Sequence, residues 1–411
     1  MPVAEQPFNF RSVALSVYLP TILFSTGEGA VLPMIPVMAH GLGASIPFAG
    51  VIAAMVVVGE LLGDIPAGWF VARFGERASM IGAAGLALAG IALSLLAIGP
   101  WLLMIGVLLI GLATSVFALA RHAFMTTRVP LRYRARALSA LGGIFRAGWF
   151  IGPLIAAAVI ASTGTPQAAF WIFAIGCASA VVALLVLPDP EKQTGPPPSM
   201  TAAEAVPRPG LFRTIHANRA VLLRVGSGVA LVGATRAARI TLLPLWALSI
   251  GMSEAHTALV IGLAGGLEFA LFYTSGQLMD RRGRLWSVMP CMVGLGIGFL
   301  ALSFLHDVPG REAWFTGVSF LLGVANGMGS GIVMTLGADL APKDNPAAFL
   351  GAWRFSSDAG QAASPLLIAA LATVSLSLAS GVIGVLALVG AGLLARFIPR
   401  YIPHRPHRPH R

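Results

Sequence analysis

The chain has 411 residues, of which 57% are hydrophobic and 10% are charged, and its formal net charge is +11. A soluble globular protein has about 25% charged residues. The composition therefore excludes an ordinary soluble domain and indicates an integral membrane protein. The excess of basic residues lies in loops and tails, which argues against nucleic-acid binding.

Twelve apolar stretches recur along the chain, each long enough to cross a hydrocarbon core of about 30 Å as a helix. They are too long and too uniformly apolar for barrel strands, so we expect helices. The predicted fold class is an all-α polytopic membrane protein with 12 transmembrane helices. The predicted spans, numbered 1 to 12, are residues 12–38, 47–71, 78–98, 101–126, 137–162, 167–187, 220–249, 256–279, 286–306, 313–337, 347–370 and 376–396.

The basic residues predict the orientation. Most of the 27 Lys and Arg residues lie in the two tails, the loops from even to odd spans and the segment after span 6, and only Arg311 lies in a loop of the other side. The positive-inside rule then predicts a multi-pass protein of the cell (inner) membrane with both termini cytoplasmic. Span 1 is expected to act as an uncleaved signal. Cys177 and Cys291 lie in spans, so no disulfide framework is expected.

A polar segment divides the chain. Residues 188–219 are rich in Pro and polar residues and predict a cytoplasmic linker. It separates an N-terminal six-helix bundle, 1–187, from a C-terminal one, 220–398, and a basic cytoplasmic tail follows at 399–411. The tail contains Pro-His-Arg three times. Metal binding by its His residues is one interpretation, but a basic tail near anionic lipid headgroups is favoured.

The two halves are related by a repeat. With an offset of 208 residues, Glu60 falls on Glu268 and Pro36 falls on Pro244. Two parallel halves of six helices are typical of secondary transporters, whose substrate sites lie near the membrane midplane. The loops after spans 2 and 8 also correspond, and their shared pattern comprises Gly68, Arg73, Gly75 and Arg77 in the first half and Gly276, Asp280, Arg281, Gly283 and Arg284 in the second.

These motifs carry a resemblance to a known family. The stretch from Gly276 to Arg284 resembles the Gly-x-Leu-x-Asp-Arg-x-Gly-Arg loop of major facilitator superfamily transporters. In span 5, GWFIGP with Gly148, Gly152 and Pro153 resembles the antiporter motif of the drug–proton exporters, although two alanines replace its closing glycine pair. PMIP late in span 1 resembles the same exporters. The resemblance covers nearly the whole chain and implies two six-helix bundles.

The resemblance also implies a gating role for the residues of both loops and of GWFIGP. In family members, the Asp and Arg of the loop hold the two halves together on the cytoplasmic side. Ala72 stands where the first-half loop of the family has Asp, and Val107 stands where span 4 often has an Arg linked to proton coupling. We expect the loss of the acid at Ala72 to favour opening to the cytoplasm, unless Asp64 or Glu76 substitutes for it.

Ionisable residues inside the spans are the candidate transport residues, since each unpaired charge costs roughly 3 kcal/mol in the membrane. Glu28 is the predicted proton carrier, because exporters of the family often place an acid in span 1. A static ion pair of Glu28 with Arg236 or Arg239 is the alternative. Further proton-coupling candidates are Asp358 and Asp64, although Asp64, Glu60 and Glu268 are explained as well by structural pairing. The remaining charges in spans are Arg121, Arg146 and Arg354.

A guanidinium group stays charged and needs an acid, a carbonyl or a substrate anion. The predicted substrate-binding residues are Glu28, Arg146, Arg236, Arg239 and Trp149. Trp149, Trp353 and Phe355 flank the charges and are able to stack on a flat ligand, whereas Arg121 lies near a helix end and is able to reach water.

Three functions fit these residues. The first is proton-coupled export of small amphipathic or drug-like organic compounds by alternating access. The second is proton-coupled symport of a small organic anion into the cell. The third, a non-transporting scaffold, is disfavoured because it would not need charges inside the membrane.

The sequence has no phosphate-binding loop, nucleophile elbow or metal-ligand spacing. We therefore predict no enzyme activity, no cofactor and no metal site. The expected partners are a small-molecule substrate, protons and the lipid bilayer, without nucleic acid, and the chain is expected to be a monomer.

Overall fold

The computed structural model describes residues 14–129, 131–187, 216–342 and 346–402. Within these ranges the regular structure is entirely helical, which confirms the predicted all-α polytopic membrane fold. Most of the predicted linker and most of the basic tail lie outside the described residues.

Every predicted span corresponds to helix in the structure. Among the described residues, eleven helical segments are long and apolar enough to cross a membrane. Span 11 is long enough but less apolar, because it contains polar residues such as Arg354 and Asp358. Spans 2 to 9 are Ile46–Phe74, Glu76–Leu95, Pro100–Arg128, Leu131–Thr163, Ala168–Val186, Arg219–Ser249, Glu254–Arg282 and Leu285–Ser303, and spans 11 and 12 are Pro346–Ala372 and Leu376–Tyr401.

Span 1 is interrupted at PMIP. The α-helix Leu19–Val31 continues through a 3-10 turn, Leu32–Met34, into the α-helix Ile35–Gly41. A proline has no N–H and its ring crowds the preceding turn, so a helix changes its hydrogen bonding there. Pro33 and Pro36 therefore account for the local change of helix type.

Span 10 is broken in its middle. The helix Arg311–Met328 ends in a glycine-rich turn, and a second helix, Ile332–Leu340, completes the span. Gly331 in the turn has φ = +80°, a backbone conformation that L side chains adopt only with strain. Inside a membrane, such a break requires that other groups bind the carbonyls it releases.

The chain forms two compact units. Unit 1 comprises Met1–Ala44, Met55–Thr201 and Glu254–Gly262, and unit 2 comprises Ser45–Ala54, Ala202–Ser253 and Leu263–Arg411. Unit 1 thus contains most of the first half of the sequence together with the first residues of span 8. Unit 2 contains most of the second half together with the first residues of span 2.

In unit 1, span 1 packs on spans 5 and 6, and span 3 packs on span 4. Small residues allow these close approaches, as is common in membrane bundles. A Cβ atom placed at Gly90 of span 3 would lie 2.6 Å from the carbonyl oxygen of Gly106 in span 4. Spans 1 and 4 also meet, since the ring of Phe24 in span 1 stacks on the ring of Phe117 in span 4 with 4.2 Å between the ring centroids.

In unit 2, span 7 packs on spans 11 and 12, and span 9 packs on spans 10 and 12. Glycines again lie at the crossings. A Cβ atom at Gly233 of span 7 would overlap the backbone carbonyl of Ser357 in span 11. A Cβ atom at Gly360 of span 11 would overlap the backbone carbonyl of Ala230 in span 7. These contacts hold span 7 firmly against span 11 at the depth of Arg236.

Candidate functional site

Glu28 lies in the middle of span 1 and is 1% exposed. Both of its carboxylate oxygens accept a hydrogen bond from another helix. Thr114 Oγ1 of span 4 donates to Oε1 at 2.9 Å, and Trp149 Nε1 of span 5 donates to Oε2 at 2.8 Å. The arrangement satisfies a buried carboxylate and ties three helices of unit 1 to one ionisable group.

Arg121 of span 4 is the charged neighbour of Glu28. Its side chain is 7% exposed, and its guanidinium carbon lies 4.5 Å from the centre of the Phe145 ring. Arg121 and Glu28 attract each other electrostatically. The expectation that Arg121 reaches water at a helix end is therefore wrong, because the side chain points into unit 1 and lies over an aromatic face.

The GWFIGP motif places Trp149 beside Glu28. Gly148 and Gly152 face span 1. A Cβ atom at Gly148 would overlap Ser25, and one at Gly152 would overlap the carbonyl oxygen of Thr26. Pro153 is buried within the same helix. The motif thus brings spans 5 and 1 into backbone contact one residue away from the indole that donates to Glu28.

In unit 2 the predicted arginines of span 7 have different partners. Arg239 forms an ion pair with Glu268 of span 8, and their side chains are 12% and 18% exposed. Arg236 donates from Nη2 to the carbonyl oxygen of Gly329 at 2.6 Å, at the break of span 10. The thiol of Cys291 lies next to the same guanidinium.

Two buried serines complete the lining of this break. Ser275 Oγ of span 8 donates to the carbonyl of Met328 at 2.7 Å, and Ser287 Oγ of span 9 donates to the same carbonyl at 2.6 Å. Ser275 also reaches the carbonyl of Ser330 at 3.0 Å. These serines were not predicted from the sequence, although the run GMGSG inside an apolar span was a signal for a broken helix.

The other predicted charges are more accessible. Asp64 is exposed, and Glu60 and Arg146 are partly exposed. Asp358 pairs with Arg354 one turn earlier at 3.5 Å and accepts a hydrogen bond from Gln361 at 3.1 Å. The structure thus places Asp358 in a local polar group of span 11.

The two further aromatic candidates differ in their surroundings. Trp353 is 2% exposed and donates from Nε1 to the carbonyl of Val333 at 2.8 Å, so it belongs to the packing of unit 2. Phe355 is 65% exposed. Neither side chain joins the residues around Glu28 or Arg236.

The second-half loop is fixed by Arg284. Its Nε donates to Asp339 of span 10 at 2.7 Å, and its Nη1 donates to Asp280 at 3.3 Å. The hydrogen bond to Asp339 is the main reason why the pKa of Arg284 is raised above its ordinary value. Arg281 is exposed beside this pair.

The first-half loop has Ala72 in place of the acid Asp280 of the second-half loop. Ala72 and Arg73 are exposed, and Arg77 Nη2 instead donates to the carbonyl of Leu187 at 3.1 Å. Gly75 has φ = +83°, and Gly283 in the second loop has φ = +96°, so both are required for the turns.

Gly68 and Gly276 lie inside helices, and a Cβ atom at either would meet no atom within 4 Å. Of the loop glycines, Gly75 and Gly283 therefore serve the tight turns, whereas these two do not. They lie before the turn rather than in it.

Charged groups buried among long apolar helices define an integral membrane protein with a candidate functional site inside the membrane. The sequence model of the Major Facilitator Superfamily matches residues 17–365, and the chain belongs to this family. The chain is therefore a transporter rather than an enzyme. "Probable inositol transporter 3" of Arabidopsis thaliana is 26% identical over 191 residues, which are 45% of this chain and 32% of that protein. The match therefore spans about a third of the length of this relative.

Solved structures of the same fold cover nearly the whole chain. A D-xylose–proton symporter aligns with a TM-score of 0.73 at 17% identity, over 95% of this chain and 98% of its own. A peptide transporter POT in complex with sulfate aligns with a TM-score of 0.77 at 15% identity, over 97% of both chains. At these identities the likeness shows the fold alone.

Proposed function

We propose that the protein is a proton-coupled secondary active transporter in which Glu28 binds the transported proton. The observation that carries this proposal is the buried carboxylate with both oxygens held by Thr114 and Trp149 and with Arg121 nearby. Protonation of Glu28 removes the negative charge that these three groups stabilise. Proton binding therefore weakens the contacts among spans 1, 4 and 5, which is the coupling that alternating access needs.

The proposed direction is export of small amphipathic organic compounds. Support comes from the packing of GWFIGP, the motif that resembles the drug–proton exporters. Gly148 and Gly152 bring span 5 against span 1 at the level of the proposed proton site. A motif that sets both the helix contact and the position of Trp149 links proton binding to the movement of these two helices.

Proton-coupled symport of a small organic anion is the second candidate. It is favoured by Arg236, whose described partners are a carbonyl and a thiol rather than a carboxylate. The structural relatives include a proton symporter of D-xylose and peptide transporters. An anionic substrate would supply the negative charge that Arg236 needs in the membrane.

Proteoliposomes loaded with a pH-sensitive dye distinguish the two candidates. Candidate compounds are added outside without a pH gradient. Alkalinisation of the lumen on substrate entry means antiport and supports export, and acidification means symport and supports the second candidate. A panel that produces radiolabelled uptake without any pH change contradicts proton coupling altogether.

The role of Glu28 is tested with Glu28→Gln in the same assay. The variant keeps a hydrogen-bonding side chain of the same size but cannot bind and release the proton. We expect substrate-driven pH change to be lost while the protein remains folded. The matched control is Asp307→Asn, because Asp307 is 92% exposed in the loop after span 9. Undiminished pH change in Glu28→Gln would exclude Glu28 as the proton site.

A further inference from the structure

A pocket lies in unit 2 at the end that is predicted to face the cytoplasm. Its volume is about 640 Å³, and it opens between the loop after span 8 and the last turns of span 12. The residues that matter for its chemistry are Arg281, Arg282, Arg284, Trp286, Asp339 and Tyr401. None of these residues takes part in the proposed proton site.

The pocket carries an excess of positive charge. Arg284 is neutralised by Asp339 at 2.7 Å and by Asp280 at 3.3 Å. Arg281 and Arg282 are exposed, and neither forms an ion pair with any residue that the structure describes. The lining thus carries three arginines against two aspartates, and the guanidinium groups of Arg281 and Arg282 are available for an anion.

The turn directs these groups towards one place. Span 8 ends at Arg282, Gly283 reverses the chain with φ = +96°, and Arg284 follows. Because Arg284 is anchored by two acids, it fixes the turn and with it the position of its two neighbours. An anchored turn lowers the entropy that is lost when a ligand binds.

The remaining walls suit a ligand at the membrane surface. Arg282 lies over the ring of Trp286, with its guanidinium carbon 5.4 Å from the centroid. Tyr401 accepts a hydrogen bond from Arg224 at 3.1 Å, so its own O–H remains able to donate. Trp and Tyr side chains are enriched at the level of lipid headgroups.

We propose that this pocket binds the phosphate group of an anionic ligand through Arg281 and Arg282. The guanidinium fork matches the oxygen geometry of phosphate and binds it by paired hydrogen bonds. A volume of about 640 Å³ admits a headgroup-sized molecule. The source of the phosphate is either an anionic phospholipid of the surrounding leaflet or a soluble phosphate compound.

The test measures the melting temperature of the purified full chain in detergent while phosphatidylglycerol is titrated. We expect stabilisation by phosphatidylglycerol, and an affinity at least about tenfold weaker in the double variant Arg281→Gln/Arg282→Gln. The matched control is Arg73→Gln, because Arg73 corresponds to Arg281 in the repeat and is also exposed. This control should bind phosphatidylglycerol as the wild type does.

Two further ligands identify the source. Glycerol 1-phosphate carries the same charged group without acyl chains, and stabilisation that depends on Arg281 and Arg282 would assign the pocket to soluble phosphate compounds. Stabilisation by phosphatidylglycerol alone, with the same dependence, would assign it to a lipid headgroup. Phosphatidylcholine, which is zwitterionic, is expected to bind more weakly than phosphatidylglycerol.

Three results would overturn the proposal. The first is an equal affinity of the wild type and the double variant for phosphatidylglycerol. The second is equal stabilisation by phosphatidylcholine, and the third is the absence of stabilisation by every phosphate ligand. If the double variant does not fold, Arg281→Gln alone is compared, since its exposed side chain forms no described ion pair. The binding assay does not depend on transport, so its outcome is separate from that of the proton-coupling test.

Discussion

Gly152→Ala is the most direct test of the packing around Glu28. The added Cβ atom would overlap the carbonyl oxygen of Thr26 and would lie 2.7 Å from the backbone nitrogen of Ala30, where ordinary contacts begin at 3.4 Å. Backbone atoms cannot rotate away, so spans 1 and 5 must separate locally by at least about 0.7 Å to relieve the contact with Ala30, and by more to relieve the one with Thr26. Forcing an extra methyl group into such a contact costs about 1–3 kcal/mol.

The same displacement acts on the hydrogen bond next to it. Trp149 Nε1 lies 2.8 Å from Glu28 Oε2, and a separation of at least about 0.7 Å would bring the distance to about 3.5 Å or beyond, the limit for a hydrogen bond. We therefore expect Gly152→Ala to lower both the melting temperature and the substrate-driven proton flux. Both are measured on the same preparation, in detergent and in proteoliposomes.

Gly143→Ala is the matched control in the same helix. A Cβ atom there would meet no atom within 4 Å, so the only expected effect is a gain in helix stability of up to about 1 kcal/mol. A Gly152→Ala protein with wild-type melting temperature and flux would refute the packing argument. So would a Gly143→Ala protein that is damaged to the same degree.

Three other predictions follow from the loops and from the break of span 10. Ser275→Ala removes a buried donor to that break and should destabilise by about 1–3 kcal/mol, whereas Thr274→Ala, on the exposed face, should change the melting temperature little. Arg284→Gln should lower stability by up to about 1 kcal/mol. Asp339 raises the pKa of Arg284, so the stabilisation is complete below the ordinary pKa of Arg and is lost only as the pH rises through the raised pKa. The variant and the wild type should therefore differ in melting temperature by the same amount between about pH 6 and 9. Ala72→Asp should shift the accessibility of engineered cysteines towards that of the outward-open form. Unchanged accessibility would contradict the expectation that an acid at position 72 holds the two halves together on the cytoplasmic side.

The spans were predictable because the membrane imposes a length and an apolar composition that the sequence shows directly. The resemblance of the loop after span 8 to the loop motif of the family could likewise be recognised from the sequence. Span 10 shows the limit of this approach, since the apolar stretch at 313–337 gives the span but not the turn between Met328 and Ile332 that breaks its helix.

The partners of Glu28 were not predictable from the repeat. The sequence offered Arg236 or Arg239 as partners by symmetry, but the described partners are Thr114, Trp149 and Arg121 of unit 1. These residues come from different helices, and their meeting depends on helix rotation and on close contacts between glycines. Neither quantity can be obtained from hydrophobic periodicity in helices that are apolar on most faces.

The break of span 10 has a consequence for the countercharge of Arg236. The C-terminal end of a helix carries a partial negative charge of about half an electron, and Arg236 binds the carbonyl oxygen of Gly329 just after the helix Arg311–Met328 ends. A carboxylate would remain a countercharge in any conformation of these helices. The end of the helix Arg311–Met328 provides a countercharge only while span 10 is broken, because a continuous span 10 would use the carbonyl of Gly329 in its own hydrogen bonding. The electrostatic stabilisation of Arg236 is therefore tied to the shape of span 10, and straightening that span would leave a bare cation in the membrane.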